Sequence, residues 1–334
     1  MKKFRRVLGF CLVALGMASA QDAGLHMIQT YKIGGEGGWD YLNMDANSRR
    51  LFISRGTHVI VLDADTGKPV GDILDTPGVH GIALAPDLGR GFTSNGREGT
   101  VTIFDLTTLK PIAKVKNVGK NPDAILFDPS TKRVFTFNGG SHDATAIEAA
   151  TGTIVGTIPL GGKPEFGVST GAGEVFVNIE DKNEIVKLSA TDLKVLDTWS
   201  LAGCESPSGM AIDRSGHRLF SVCDGGKMAV TNYDTGKVIA LASIGQGPDA
   251  AFYDPQRKLA FSSNGGDGTL TVVDASKTSF PTVQSVQTAK RARTMAYNVA
   301  RGEAYLCTAT FEAAAGGGRP ATVPDSFEVL VVSK

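Results

Sequence analysis

The sequence predicts an all-β protein, a seven-bladed β-propeller with four antiparallel strands in each blade. A unit of about 42 residues recurs along the chain, and residues 248–274 match residues 122–148 after a shift of 126 residues without a gap. Each copy consists of short apolar stretches separated by turn residues, which is the pattern of consecutive β-strands. Markers taken from three different strands each count seven copies.

The copy that begins at Pro248 shows the order of elements within one unit. Apolar and β-branched stretches predict three strands and a weaker fourth. Asp-Pro favours the first turn, and Asn-Gly-Gly supplies residues that tolerate positive φ in the second. The predicted strands are PDAAFYD at 248–254, KLAFSS at 258–263, TLTVVD at 269–274 and a stretch at 282–287. Such a unit cannot bury both of its faces alone, so the units must stack around an axis.

An aromatic residue in the second strand counts the blades best, because its copies recur at intervals of 40 to 44 residues. These anchors are Phe52, Phe92, Phe135, Phe176, Phe220, Phe261 and Tyr305. The predicted first strands begin near Asp40, Gly81, Asp123, Glu165, Ser208, Asp249 and Thr294. The two markers agree on seven blades.

The two ends of the chain predict how the propeller closes. The chain stops at EVLVVSK, a third strand that no fourth strand follows, whereas MIQTYKIG at 27–34 resembles a fourth strand. We therefore expect the N-terminal strand to complete the last blade, which removes open sheet edges.

Residues 1–20 have the features of a secretory signal peptide. Four basic residues precede the apolar stretch Val7–Met17, and Ala18-Ser19-Ala20 suits cleavage after Ala20. The prediction is an exported protein, periplasmic or secreted, with one propeller domain at 21–334 and no transmembrane anchor. Removal of the leader leaves 30 basic and 34 acidic residues. A mildly acidic chain lacks the broad basic surface of nucleic-acid-binding proteins, so we expect no nucleic-acid partner and a monomer.

Three cysteines follow the leader. Cys204 precedes a first strand and Cys223 ends the second strand of the same hairpin, so both lie at one end of it. A disulfide between them suits an oxidising compartment. Cys307 lies within a second strand and is expected to be a buried core residue.

The last blade carries an insertion at 310–325, TFEAAAGGGRPATVPD, between its second and third strands. Three glycines and two prolines predict a long irregular loop. Loops of this length are often functional or disordered, and a flap that contacts a ligand is one of its possible roles.

The first strands line the channel of a propeller, and their starting ends share one face with the loops between second and third strands. This face collects the candidate ligand-binding residues of the chain. They are Trp39, Asp40, His80, Asp123, Asn138, His142, Glu165, Asp249, Asn264 and Arg293. Trp39, His80 and Arg293 depart from the proline that opens the unit in other blades, which favours a special task for them.

Two interpretations of this face stand side by side. Histidines and carboxylates around a water-filled funnel suit a divalent metal or acid–base chemistry, with His80, His142 and Glu165 as candidate ligands, Asp123 as an alternative carboxylate ligand and Asp249 as a base. Alternatively, the carboxylates after proline cap turns and the Asn-Gly pairs form ordinary hairpins. Motifs such as GxSxG, HExxH and the phosphate-binding loop are missing from the sequence, so the residues leave catalysis open.

The repeat resembles the YVTN repeat of YncE-like seven-bladed propellers. The resemblance rests on Pro-x-x-apolar, Asp-Pro, apolar-Phe, Asn-Gly and V-x-V-x-Asp followed by Thr-Gly, as in DADTG at 63–67 and NYDTG at 232–236. It covers residues 27–334, and the ending RPATVPDSFEVLVV is similar to the ends of exported members. The resemblance implies an exported propeller that binds a ligand or partner, and some related propellers are lactonases or other hydrolases.

Three functions follow from these patterns. The leading hypothesis is a periplasmic binding or scaffold protein that engages a small polar ligand or a protein partner at the funnel. The second is a metal-assisted hydrolase or lyase that uses the same funnel. The third is a structural platform of the cell envelope.

Overall fold

The computed structural model describes residues 24–312 and 321–334. These residues form seven sheets of four strands, and paired strands run antiparallel. The predicted all-β propeller with seven four-stranded blades is therefore confirmed. Helical structure in the described residues is confined to the 3-10 turns Pro86–Leu88 and Glu180–Lys182.

Strands are numbered in chain order, and β1, His26–Lys32, belongs to the last blade. Blade 1 contains β2 Leu42–Asp45, β3 Arg50–Ser54, β4 Val59–Asp63 and β5 Pro69–Ile73. Blade 2 contains β6 Val79–Ala85, β7 Arg90–Asn95, β8 Thr100–Asp105 and β9 Pro111–Lys116. Blade 3 contains β10 Pro122–Asp128, β11 Arg133–Asn138, β12 Asp143–Glu148 and β13 Ile154–Pro159.

The remaining blades repeat this order. Blade 4 contains β14 Pro164–Ser169, β15 Glu174–Ile179, β16 Glu184–Ser189 and β17 Lys194–Ser200. Blade 5 contains β18 Met210–Asp213, β19 Arg218–Cys223, β20 Lys227–Asn232 and β21 Lys237–Ser243. Blade 6 contains β22 Pro248–Asp254, β23 Leu259–Asn264, β24 Thr269–Asp274 and β25 Thr282–Gln287. Blade 7 contains β26 Met295–Asn298, β27 Glu303–Thr308, β28 Glu328–Ser333 and β1.

The hydrophobic core consists of layers between neighbouring blades. All seven aromatic anchors are at most 1% exposed. One cluster joins Phe92 of blade 2 to Val134 and Ile147 of blade 3. Because each blade buries its second face against the next blade, the stack is stable only as a complete ring.

Strand β1 closes the propeller as predicted. It pairs antiparallel with β28, from His26 opposite Ser333 to Lys32 opposite Glu328. The Tyr31 hydroxyl of β1 also donates hydrogen bonds to the carbonyl oxygens of Ala64 and Asp65 at 3.0 and 3.1 Å. Strand β1 is thus joined to β28 within blade 7, and through Tyr31 it also joins blade 7 to blade 1.

A disulfide joins Cys204 to Cys223 across a Cα–Cα distance of 5.4 Å, and Cys307 is a buried free cysteine. Phe311 and Thr322 form a bridge at the base of the loop inserted in blade 7. The predicted signal peptide, its predicted cleavage site and residues 313–320 of the inserted loop lie outside the described residues. Within the described ranges, no helix has the length and apolar character needed to cross a membrane.

Candidate functional site at the channel mouth

Pairing between first and second strands shows which residues are equivalent in the seven blades. In blade 3 the anchor Phe135 pairs with Leu126, which lies three residues after Asp123. The same offset from the residue opposite the anchor selects one residue in every blade. We call these seven residues the channel ring: Asp40, His80, Asp123, Glu165, Ser208, Asp249 and Arg293.

This register corrects the sequence alignment in blades 2 and 7. The alignment placed Gly81 and Thr294 opposite the carboxylates of other blades, which is one residue too far along the chain. In the structure His80 and Arg293 occupy the carboxylate position itself. Of the three predicted departures from proline, only Trp39 stands at the proline position, since it directly precedes Asp40.

The ring backbone is held by the neighbouring blade. In blades 2, 4 and 6 the side chain two positions after the anchor donates a hydrogen bond to the main-chain carbonyl oxygen of the next ring residue. The Ser94 hydroxyl donates to the carbonyl of Asp123, and the Asn178 side-chain amide donates to the carbonyl of Ser208 at 2.8 Å. Inter-blade hydrogen bonds therefore orient the ring before any ligand arrives.

Asp40, His80 and Asp123 form one arc of the ring. His80 Nδ1 lies 2.7 Å from Asp40 Oδ2 and 3.8 Å from Asp123 Oδ1. Gly96 makes room for the imidazole, because a Cβ there would lie only 2.8 Å from His80 Nε2. One nitrogen of His80 is thus directed to two carboxylates from the two flanking blades.

Arg293, Asp249 and Ser208 form a second arc. Arg293 donates to Asp249 Oδ2 at 2.6 Å, and its other terminal nitrogen lies 3.4 Å from Asp40 Oδ1. The Ser208 hydroxyl donates to Asp249 Oδ1 at 2.8 Å. Both oxygens of Asp249 are therefore hydrogen-bonded, and Arg293 links the two arcs.

Lys163 pairs with the fourth carboxylate. Its Nζ lies 2.7 Å from Glu165 Oε1 and also contacts Glu180. Lys163 sits two residues before Glu165, outside the ring position, so it partly neutralises the ring from the rim.

Tyr41 and Phe166 span the channel. Each follows a ring residue, and their aromatic rings have centroids 5.1 Å apart although they come from blades 1 and 4. Burial raises the pKa of Tyr41 well above its usual value, and the charges of all four ring carboxylates raise it further. The ring carboxylates therefore act together on Tyr41.

Burial of several carboxylates in one place raises their pKa values. Desolvation raises the pKa of Asp249 to about 6, although Arg293 opposes the shift. Burial likewise raises the pKa of Asp123. Burial raises the pKa of Glu165 to about 7, against the hydrogen bond from Lys163 and with the help of the Asp123 charge.

Burial acts on His80 in the opposite direction. Burial lowers the pKa of His80, but the hydrogen bond to Asp40 and the charge of Asp123 outweigh burial, and the pKa is raised. The carboxylate pKa values are thus raised mainly by burial, whereas the pKa of His80 is raised by the neighbouring carboxylates, which stabilise its positive charge. The side chains of the four ring carboxylates are still 15–22% exposed, so a ligand can reach them.

The structure does not bring every predicted residue to this site. Asn138 and Asn264 are fully buried, and their amides bind Thr145 and Thr271 within their own hairpins at 3.1 and 2.9 Å. Both amides therefore bind within the hairpin and not at the ring, because a buried Asn side chain needs hydrogen-bond partners close by.

His142 and Trp39 also have other positions. His142 is an exposed turn residue with φ of 58°, and it is not among the residues of the Asp40–His80–Asp123 arc. The Trp39 ring packs against Phe327 and Phe311, with centroid distances of 5.3 and 6.0 Å. Trp39 therefore belongs to the packing beside the ring.

Sequence reasoning missed three residues of the site. Ser208 was predicted as the start of a first strand but not as a ligand-binding residue. Its position in the repeat, equivalent to that of the carboxylates, could have identified it. Tyr41 and Lys163 depend on contacts between side chains outside the ring position, for which the repeat holds no signal.

The fold and the ring define a class of protein, the seven-bladed β-propellers with a polar channel mouth. No protein-family model matches the chain, and none of the curated proteins matches it. Among solved structures, a chain of Kuenenia stuttgartiensis hydrazine synthase is similar, with a TM-score of 0.73 over 82% of this chain and 94% of that chain. The identity is 15%, so this similarity shows a common fold only.

Proposed function

We propose that this protein is an exported binding protein of the YVTN, YncE-like type, whose channel ring takes a small polar ligand that carries positive charge. The observation that supports this most strongly is the convergence of four carboxylates from four blades. They face one guanidinium and one imidazole within the ring, and Lys163 at the rim. The excess of negative charge favours a cation over an anion.

The ring is prepared for such a ligand before it binds. Hydrogen bonds from the side chains of Ser94 and Asn178 to main-chain carbonyl oxygens fix the positions of Asp123 and Ser208. The partial burial of the carboxylates strengthens their interaction with a charge. Small-molecule sites of this kind combine a concave surface with a few convergent polar groups. Tyr41 and Phe166 would form its floor.

A direct test measures cation binding to the purified mature protein by isothermal titration calorimetry in chelator. Spermidine, lysine amide and choline are the cationic probes, and neutral and anionic compounds of similar size are the comparison. We expect binding of at least one cation, and Asp123→Asn with Asp249→Asn to weaken it at least about tenfold, because partly buried charge pairs are lost.

Asp87→Asn is the matched control, since the Asp87 side chain is 74% exposed and its ion pair, with Lys132, lies outside the ring. Binding that favours anions, or that the double ring variant leaves unchanged, would contradict a cation-binding ring.

A metal-assisted hydrolase is the second candidate function, and one observation favours it. Ligand atoms of Asp40, His80 and Asp123 all lie within 4.8 Å of one another. Three protein ligands with remaining positions for water are typical of catalytic metal sites. Hydrolysis of a lactone or ester panel that requires an added divalent metal, and is lost in His80→Ala, would support it.

A further inference from the structure

We propose that the Asp40–His80–Asp123 arc is a divalent transition-metal site. This inference rests on the proposed function, because it identifies the cation that the same channel ring would hold. The three residues come from three consecutive blades, and the propeller geometry alone brings them together.

The distances within the arc suit a small ion. His80 Nδ1 lies 2.7 Å from Asp40 Oδ2 and 3.8 Å from Asp123 Oδ1. Zinc bonds of about 2.0–2.2 Å place tetrahedral ligands roughly 3.4 Å apart. The observed spacings lie on either side of that value, so small side-chain rotations would enclose an ion.

The donor set selects the class of metal. One imidazole nitrogen with two carboxylates suits Zn²⁺, Mn²⁺, Co²⁺ or Fe²⁺, whereas Ca²⁺ and Mg²⁺ prefer oxygen ligands throughout. Two carboxylates and a neutral imidazole also balance the charge of a divalent ion. The arc therefore meets both the chemical and the electrostatic requirement.

The surroundings of the arc support a metal rather than a chance cluster. The glycine at position 96 leaves space that the His80 ring fills, since a Cβ there would approach Nε2 to 2.8 Å. The amide of Asp40 donates to Ser54 Oγ at 3.1 Å, and Ser94 holds the carbonyl of Asp123. Arg293 contacts the other oxygen of Asp40 at 3.4 Å. Partners of this kind orient metal ligands in known sites.

The test uses mature protein that is stripped with chelator and dialysed. Zn²⁺, Co²⁺, Mn²⁺, Mg²⁺ and Ca²⁺ are titrated separately, and the visible absorption of Co²⁺ reports on coordination. We expect one equivalent of Zn²⁺ or Co²⁺ to bind, a Co²⁺ absorption band, and at least about tenfold weaker binding in His80→Ala, as for loss of a metal-site residue.

His142→Ala is the matched control, because the sequence pattern predicts His142 as a ligand and the arc does not contain it. It should keep the wild-type affinity, whereas Gly96→Ala should lower it by displacing His80. Thermal unfolding of each variant in chelator shows whether it is folded. His80→Gln serves as the second variant if His80→Ala is unstable.

The outcomes separate this inference from the proposed function. A ring that binds organic cations but no divalent metal overturns the metal site and leaves the proposed function standing. A ring that binds neither overturns both. Metal binding that survives in His80→Ala and His80→Gln, or that is lost in His142→Ala instead, also overturns the assignment of the ligands.

Discussion

Two positions of the repeat differ in how much their residue type varies among the blades. The anchor position carries Phe in six blades and Tyr in the seventh, because its task is the same packing everywhere. The ring position carries Asp, His, Asp, Glu, Ser, Asp and Arg in blade order. The ring position has the same backbone register in all seven blades, but its side chain differs from blade to blade. Packing therefore does not dictate this side chain, and it can serve a ligand.

Asp249 makes the stability of the fold depend on pH. Its folded-state pKa is raised from 3.8 to about 6, so the folded state holds the proton more tightly than the unfolded state. Stability contributed by this group is therefore present at low pH and is lost as the pH rises from about 4 to 6. For wild type we expect this group to lower the free energy of unfolding by on the order of 2 kcal/mol between about pH 4 and pH 6. In Asp249→Asn this contribution should disappear.

Urea unfolding of wild type and Asp249→Asn between pH 4 and pH 7, with chelator present, measures this difference. Asp87→Asn is the control and should keep the wild-type slope. Equal slopes for wild type and Asp249→Asn would show that burial does not raise the pKa of this carboxyl group.

At the scale of the element, each strand of a blade has a different task. The second strand is buried and holds the anchor, the first strand begins at the ring, and the fourth strand covers the outside. Strand β1 is an example of such an outer strand, since its first four residues are exposed while its backbone pairs with β28. Its value lies in hydrogen bonds and edge protection rather than in apolar burial.

Removal of β1 should therefore weaken the whole propeller. We compare a chain that begins at Gly24 with one that begins at Ile33, which lacks β1 and the hydrogen bonds of Tyr31 to blade 1. The shorter chain should unfold at least about 5 °C lower, as expected for a loss of a few kcal/mol in a domain of this size. It should also self-associate through the exposed edge of β28.

Thermal unfolding and light scattering on a sizing column check both effects. If the two chains unfold at the same temperature and remain monomeric, closure by β1 does not contribute to stability.

At the scale of the whole molecule, the ring exists only because the propeller is closed. Tyr41 from blade 1 meets Phe166 from blade 4 across the channel, and Arg293 from blade 7 reaches Asp40 from blade 1. These contacts join parts of the chain separated by 125 and 253 residues. A partly formed propeller has no such site, so ligand binding should depend on the complete fold.

The predicted signal peptide and the disulfide point to the same kind of compartment. Residues 1–20 predict an oxidising destination, and the Cys204–Cys223 pair is of the kind that such compartments preserve. When the full chain is expressed in a bacterium, we expect the periplasmic fraction to contain protein that begins at Gln21 with this disulfide formed. Intact and peptide mass spectrometry measure both features.

A chain without residues 1–20 is the control and should stay in the cytoplasm with reduced thiols. Full-length protein that keeps its leader and remains in the cytoplasm would argue against export.

The repeat period and the markers within it were enough to predict the seven blades and the closing strand, because packing between blades imposes the same residue types at the same positions. The positions of Asp40, Asp123, Glu165 and Asp249 followed from the repeat for the same reason. His80 and Arg293 were recognised as unusual, but only strand pairing showed that they share the carboxylate position.

Only the tertiary structure decided which side chains meet. The side-chain amides of Asn138 and Asn264 donate to threonines in the third strand of their own hairpins, since a buried amide needs partners. Tyr41 and Ser208 join the site through contacts between blades, and Lys163 joins it through ion pairs with Glu165 and Glu180 of its own blade. The sequence alone determined the architecture, because periodic burial is a local property of each unit. The site depended on the closed ring, because its residues are neighbours in space and not along the chain.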